Sequence, residues 1–304
     1  MTFRASRRQR SNGNSNKVDN IKLKVQNCGG GYENRHIGSE IRQSVAWRTL
    51  RAITIVICIL AAQTAVFAEN APWLEAIKSD FNEFPDRFIE DSRDTFINEN
   101  NFMALVMAGA ASFVMHNGGI DDNIAEDFAR DNRFHGFADE SLYIIGTPET
   151  HFAATALWYA VEAQNGDELS KERALTMMTA LSVNGIVTLG LKVIRHNDTP
   201  NGHSLAWPSG HTSSSFTVAS VLHEYYGLKV GIPAYILASV IAYRMMDTGD
   251  HWASDVVFGG TLGWVVGHTV ANKHKKLEVA GFSVIPYWAG EEKAALGVGL
   301  VRTF

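Results

Sequence analysis

The stretch that decides the reading runs from Lys192 to Asp255: KVIRHNDTPNGHSLAWPSGHTSSSFTVASVLHEYYGLKVGIPAYILASVIAYRMMDTGDHWASD. At its centre, Pro208-Ser209-Gly210-His211 is a tight glycine-bearing turn followed by Thr212-Ser213-Ser214-Ser215-Phe216-Thr217-Val218-Ala219, which reads as the first turns of a helix. A helix N-terminus offers unpaired N–H groups and the positive end of the dipole, so an anion is stabilised there. Gly210 lets the backbone approach an oxyanion, and Ser209 adds a hydroxyl donor. His211 stands at the mouth of that cradle. Downstream, His251 and Asp255 are spaced i, i+4 at the opening of another helix, so their side chains share one face. A carboxylate so placed fixes the imidazole tautomer and raises its basicity, the arrangement of a base with its orienter. Lys192 and Arg244 add two cations. An anion cradle, two cations, two imidazoles and a carboxylate in this order describe a site for transferring a phosphoryl group.

The same residues resemble the phosphatidic acid phosphatase type 2 superfamily, which includes vanadium haloperoxidases and bacterial acid phosphatases and carries the motifs K-x6-R-P, P-S-G-H and S-R-x5-H-x3-D. The second is intact at Pro208 to His211. The third is recognisable as Tyr243-Arg244, six residues, His251, three residues and Asp255, and the first as Lys192, six residues and Thr199-Pro200. The resemblance covers residues 102 to 272. It implies that His251 attacks phosphorus to form a phosphohistidine, that Asp255 orients it, and that His211 protonates the leaving alkoxide and then activates water. It further implies that Lys192, Arg244, Ser209 and Gly210 bind the phosphate, with no metal and no cofactor. Two departures stand out. Thr199 occupies the place of the first motif's arginine, and Arg195, on the same helical face as Lys192, or His203 is the candidate to replace it. One extra residue separates Arg244 from His251 in Met245-Met246-Asp247-Thr248-Gly249-Asp250, where Gly249 marks a loop that absorbs it. Asp247 and Asp250 are expected to be solvated loop residues. His116, His135, His151, His223, His268 and His274 fall outside the motifs and are expected at the surface or as satisfied core residues, and Trp207 and Trp252 as ordinary packing.

Charge and hydropathy set the container. Residues 1–68 hold 11 of the 27 Lys+Arg and 3 of the 32 Asp+Glu, a balance of +8, which leaves 16 against 29, or −13, for the rest. This division fits a processed leader rather than nucleic-acid binding. Residues 1–45 are polar and aperiodic and are expected to be disordered or a mis-called start. Residues 46–68 read as a signal peptide, with basic Arg48 and Arg51, an uncharged run from Ala52, and Val66-Phe67-Ala68 as the cleavage site. Both cysteines, Cys28 and Cys58, fall in this leader, so the mature chain carries no thiol chemistry and needs no disulfide in an oxidising compartment. The expected location is therefore exported: the periplasm or cell envelope.

Over residues 69–100, Trp73, Ile77, Phe81, Phe84 and Phe88 form an apolar stripe at helical spacing, an amphipathic lead-in expected to dock on a core. Residues 101–280 form the expected phosphatase helical domain, with helices at Phe102 to Met115, Phe152 to Ala163, Ala174 to Ile194, Thr212 to Tyr226, Ile232 to Arg244 and Ser254 to Ala271. Turns are expected at Asn117-Gly118-Gly119, Asn165-Gly166-Asp167 and Gly231-Ile232-Pro233. Residues 281–304 read as a C-terminal β-hairpin. The fold class is thus mostly α, a bundle of about six core helices with a short hairpin. Spanning a bilayer takes about 20 apolar residues, which only Phe102 to Met115 with its flanks, Ala174 to Leu191 and Val256 to Asn272 approach. A soluble or membrane-apposed envelope protein is favoured, with a multispanning form as its alternative. The expected activity is hydrolysis of a phosphomonoester or pyrophosphate, with a phospholipid such as phosphatidic acid as one candidate. The partners are a phosphorylated small molecule or lipid and a membrane surface, without nucleic acid. The alternatives are a catalytically silent envelope scaffold and a vanadate-dependent haloperoxidase.

Overall fold

The computed structural model describes residues 72–275 together with the backbone of three short strands between residues 278 and 301. The extension at 1–45 and the signal peptide at 46–68 lie outside the described residues. Nine helices follow one another among the described residues: α1 (Pro72–Ile97), α2 (Glu99–Asn117), α3 (Ile120–Arg130), α4 (Gly136–Gly146), α5 (Pro148–Asn165), α6 (Glu168–Arg195), α7 (Gly210–Tyr226), α8 (Leu228–Asp247) and α9 (Ala253–His274). Three antiparallel strands come last, β1 (Glu278–Val279), β2 (Phe282–Ala289) and β3 (Ala295–Val301), with β2 and β3 in register from Ser283 opposite Val301 to Ala289 opposite Ala295.

Local chemistry sets the helix ends. Thr147 caps α5 by accepting the Thr150 N–H, with Pro148 in the first turn, and Gly166 closes it at φ 76°. Asp167 then caps α6 by accepting the Ser170 N–H. Gly227 at φ 69° separates α7 from α8. The expected turn at Gly231-Ile232-Pro233 does not form, and α8 runs through it. The physical reason is contact: a side chain at Gly231 would lie 2.2 Å from His223 Nδ1, so glycine here admits a neighbouring side chain rather than a bend. Two helices, α3 and α4, occupy sequence for which no helix is expected.

The bundle is organised around α9. Its buried face, including Phe258, Leu262, Val266 and Val270, meets Leu181 and Val183 of α6, Val221 of α7 and Ala108 of α2 in one apolar core. Truncating a side chain such as Leu262, 1% exposed, costs about 2–5 kcal/mol. On the side facing α7, Gly259, Gly263 and Gly267 recur every four residues. A Cβ at these positions would lie 2.8 Å from Ser209 O, 2.1 Å from Ser213 O and 2.6 Å from Ser220 Cβ. Their lack of side chains brings the two helix backbones together, which fixes the distance between the N-termini of α7 and α9.

The lead-in stripe docks differently from expectation. Phe88 packs against the core, but Phe81 is 78% exposed. The seating of α1 is largely polar: Arg87 pairs with Glu172 at 2.7 Å and donates to Thr176, while buried Asp91 accepts from His274 and Lys273. A buried carboxylate needs such partners, so α1 is held by ion pairs as much as by its apolar face.

By length and composition, α6 and α8 suffice to cross a membrane, and α2 with α3 does so only as a pair bent by 66°. The segment Val256 to Asn272 is instead the buried centre of the bundle. Large apolar side chains face outward on several helices, among them Met107, Phe113, Leu189, Ile194 and Ile236. An apolar exterior of this extent marks a membrane or partner surface.

Candidate active site

Every motif residue lies at one end of the bundle, where α6 and α8 finish and α7 and α9 begin. Ser209, fully buried, is the N-cap of α7, and its hydroxyl accepts the Thr212 N–H. The first-turn N–H groups of Gly210 and His211 are left over by helix geometry. The start of α9 is occupied by contrast. Asp255 accepts the Trp252 N–H at 3.0 Å, and buried Asp121 accepts the Ser254 N–H at 2.9 Å. The two N-termini are tied directly, the Ser209 N–H donating to the Asp255 carbonyl at 3.1 Å.

His251 is 8% exposed, and its Nδ1 lies 3.3 Å from the Asp255 carboxylate, itself 1% exposed. The carboxylate therefore holds the Nδ1 side of the ring, which leaves the lone pair on Nε2. His211 has a buried Nε2 without a hydrogen-bond partner. Burial, then the neighbouring His251 and Arg244, hold its pKa down at about 3, so the ring is neutral. A buried, unpartnered imidazole nitrogen beside a second imidazole is a costly arrangement for stability alone.

Arg244 is held on three sides. Its Nε and Nη2 reach Asp139 at 2.7 Å, its Nη1 bonds to Asp250, and its guanidinium lies 5.0 Å from the centroid of the Tyr143 ring. Asp250 also accepts from Thr248 and, at 2.8 Å, from Asn201. Burial raises its carboxyl, but Arg244 and the Thr248 hydroxyl outweigh this and hold it below the usual carboxylate range. The expectation that Asp247 and Asp250 are solvated is therefore corrected. The helix α8 ends at Asp247, which is 2% exposed and accepts the Arg133 and Phe134 N–H groups at 3.0 Å, and Gly249 at φ 73° turns the extra residue so that Asp250 faces Arg244.

The first motif departs most from its expected role. The Lys192 ammonium donates to the Leu205 and Ala206 carbonyls, while its side chain runs 3.9 Å from where a Cβ on Gly210 would stand. Lysine is thus beside the cradle and also ties down the loop leading to it. Thr199 is buried and organises that loop, accepting the His203 N–H at 2.9 Å and donating to Asn201. Arg195 stacks 5.4 Å from the Trp207 ring, beside Pro208, and has no carboxylate partner among the described residues. Trp207 packs on Phe258 and donates to Ser112, and Trp252 donates to the Asp198 carbonyl. Both tryptophans are structural in these contacts.

Asp139, Tyr143, Asp250 and Asn201 join the site without any motif to mark them. His151 joins its floor, with Nδ1 3.0 Å from Ser214 Oγ and burial lowering it to about 4. The i, i+4 spacing of Asp139 and Tyr143 was the one available signal.

The profile of the PAP2 superfamily matches residues 148–278 of this chain. The lipid A 1-phosphatase of Porphyromonas gingivalis is 28% identical over 163 residues, which is 52% of this chain and 35% of that protein. The chain thus spans about a third of the length of that curated relative. Among solved structures, a transmembrane PAP2-type phosphatidylglycerolphosphate phosphatase from Bacillus subtilis aligns with 57% of this chain and 92% of its own, with a TM-score of 0.48 and 17% identity. Aquifex aeolicus LpxE aligns with 48% and 93%, with a TM-score of 0.41 and 21% identity.

Proposed function

Residues 148–278 belong to the PAP2 superfamily, and from that premise we propose that the protein is a metal-independent phosphatase of the cell envelope acting on a lipid phosphate through a phosphohistidine. The observation that carries this reading is the pairing of His251, whose Nδ1 faces Asp255, with His211, whose buried Nε2 has no partner. In the proposed reaction His251 Nε2 attacks phosphorus and the bond to the leaving oxygen breaks. That oxygen takes a proton from His211, which then takes one from water as the water cleaves the phosphorus–nitrogen bond. The neutral His211 of the ligand-free site acquires its proton with the substrate, because a phosphate in the cradle adds negative charge beside it. Ser209, Gly210, Lys192 and Arg244 stabilise the phosphoryl oxygens, and Arg195 supplies the cation that Thr199 lacks.

A lipid is favoured as substrate by two facts. The relative named above is a lipid A 1-phosphatase, and α6 and α8 are long and apolar enough to cross a bilayer. A soluble phosphomonoester and a pyrophosphate are the competing substrate classes. In this reading the bundle is the catalytic unit, the C-terminal hairpin an appendage, and residues 46–68 the export signal. The silent scaffold is favoured by one observation, that Arg244 is already neutralised by Asp139 and Asp250.

Phosphate release by detergent-purified protein, assayed in chelator with phosphatidic acid and an aryl phosphate, separates these readings. Release from the wild type that disappears in His251→Ala supports the phosphatase, and the preferred substrate identifies the class. A folded wild type that releases phosphate from neither substrate, nor from a lipid pyrophosphate, leaves the scaffold.

A further inference from the structure

The ring of Tyr143 touches two groups of the site at once. The Arg244 guanidinium carbon lies 5.0 Å from its centroid, and the His211 ring lies 4.9 Å away, tilted by 41°. Tyr143 stands on α4 one turn beyond Asp139, so a single helical face presents both the carboxylate that takes Arg244 by its Nε edge and the ring that lies against its plane. The whole of α4, Gly136–Gly146, precedes residues 148–278, where the family profile matches.

We propose that Tyr143 is a positioning residue for phosphoryl transfer, an aromatic plate that fixes the plane of the Arg244 guanidinium and shields the His211 ring from water. The inference rests on the phosphatase reading given above. Once a phosphate takes Nη1 from Asp250, Asp139 alone anchors the guanidinium, by its Nε edge, and the group can still tilt about that edge. Stacking on an aromatic face removes this freedom and aims the Nη end. Arg244 is the motif arginine still in its own place, so its orientation bears directly on how the phosphate is held. The ring's second contact bears on His211. Burial is the main cause of that histidine's depressed pKa, ahead of His251 and Arg244, with Asp250 opposing and His151 adding to the effect. The ring, rather than the hydroxyl, makes both contacts.

Two substitutions separate plate from hydroxyl. Tyr143→Phe keeps the ring and is expected to retain kcat/KM for an aryl phosphate within about threefold, whereas Tyr143→Leu is expected to lose roughly 30-fold or more, approaching the roughly 100-fold cost of removing a transition-state donor outright. The second readout does not depend on turnover. In the ligand-free protein, nitrogen NMR of labelled histidine should show His211 titrating closer to 6.5 in Tyr143→Leu than in wild type or Tyr143→Phe. If Tyr143→Leu fails to fold, Tyr143→Met is the substitute, with the same expectation. A leucine or methionine variant with unchanged kcat/KM and unchanged His211 titration overturns the proposal, as does a phenylalanine variant as impaired as leucine. Absence of any phosphate release by the wild type removes the phosphatase reading and this inference with it. Release by wild type with normal Tyr143 variants removes the inference alone.

Discussion

The helices α7, α8 and α9 carry a histidine–carboxylate pair at each end, and the two pairs differ in what the far side of the imidazole does. At the end that holds the candidate site, His251 Nδ1 faces Asp255, and no hydrogen bond among the described residues reaches its Nε2. Toward the other end, His268 Nδ1 bonds to Glu224, its Nε2 bonds to the Tyr235 hydroxyl at 2.9 Å, and that hydroxyl reaches Ser220 at 2.9 Å. The second chain is closed and serves as a strut between helices. The first is open on the side where His211 also lacks a partner. A carboxylate beside a histidine is common to both ends, so the unsatisfied nitrogen, rather than the pair, is what distinguishes a reactive site from a structural one.

Substituting each histidine in turn is the strongest way to break this comparison. His251→Ala is expected to reduce phosphate release by ~10⁴-fold or more, on the scale of losing a nucleophile, with little change in melting temperature. His268→Ala should do the reverse, keeping kcat near wild type while lowering the melting temperature, since it removes the link between Glu224 and Tyr235. Equal loss of activity in both variants would erase the distinction between the two ends.

The packing that joins them is tested next. Gly263→Ala places a methyl group where Ser213 O stands 2.1 Å away, so α9 must move off α7. The expected cost is about 1–3 kcal/mol of stability, together with reduced kcat, because the N-termini carrying His211 and His251 separate. Thermal unfolding and steady-state kinetics on the same preparation measure both. A smaller effect is expected at Asp250, the anion paired with Arg244 in the ligand-free site. Asp250→Asn should tighten inhibition by inorganic phosphate by roughly tenfold, the scale of one charge-assisted hydrogen bond. Unchanged inhibition would mean that phosphate does not compete with this carboxylate.

The smallest effect concerns pH. Burial lowers His151 to about 4 and is the main cause of the depressed His211, so the unfolded chain takes up protons below the ordinary value of 6.5 that the folded chain refuses. Stability from these groups is fully present above 6.5 and is lost as pH falls toward 4. His151→Gln, which retains a partner for Ser214, should flatten the decline of melting temperature between pH 6.5 and 4.5.

How far the sequence spoke for the structure also differs between regions. The cradle at Ser209 to His211 and the pair His251 with Asp255 were legible because their chemistry is local: a helix cap and an i, i+4 step are written in consecutive residues. The core helices α5 to α9 were legible from their apolar runs and, between α5 and α6, from the turn at Gly166. The helices α3 and α4 were not. Their sequences IDDNIAEDFAR and GFADESLYIIG are short, and acidic residues interrupt their apolar spacing. Asp121 and Asp139 are acidic because they are buried against Ser254 and Arg244, contacts made across more than 100 residues. Asp250 was misjudged for the same reason, since only the fold brings Arg244 and Asn201 to it. The polar seating of α1 through Asp91 likewise depends on Lys273 and His274 at the far end of α9.

The measurement that tests the central claim most directly is a rapid acid-free quench of the wild-type protein with phosphorus-labelled phosphatidic acid, followed by peptide mapping. An acid-labile, base-stable label is expected on the peptide containing His251, formed before phosphate appears in solution and absent from His251→Ala. Release of labelled phosphate with no protein-bound label at any time, or with label on another residue, would contradict that claim.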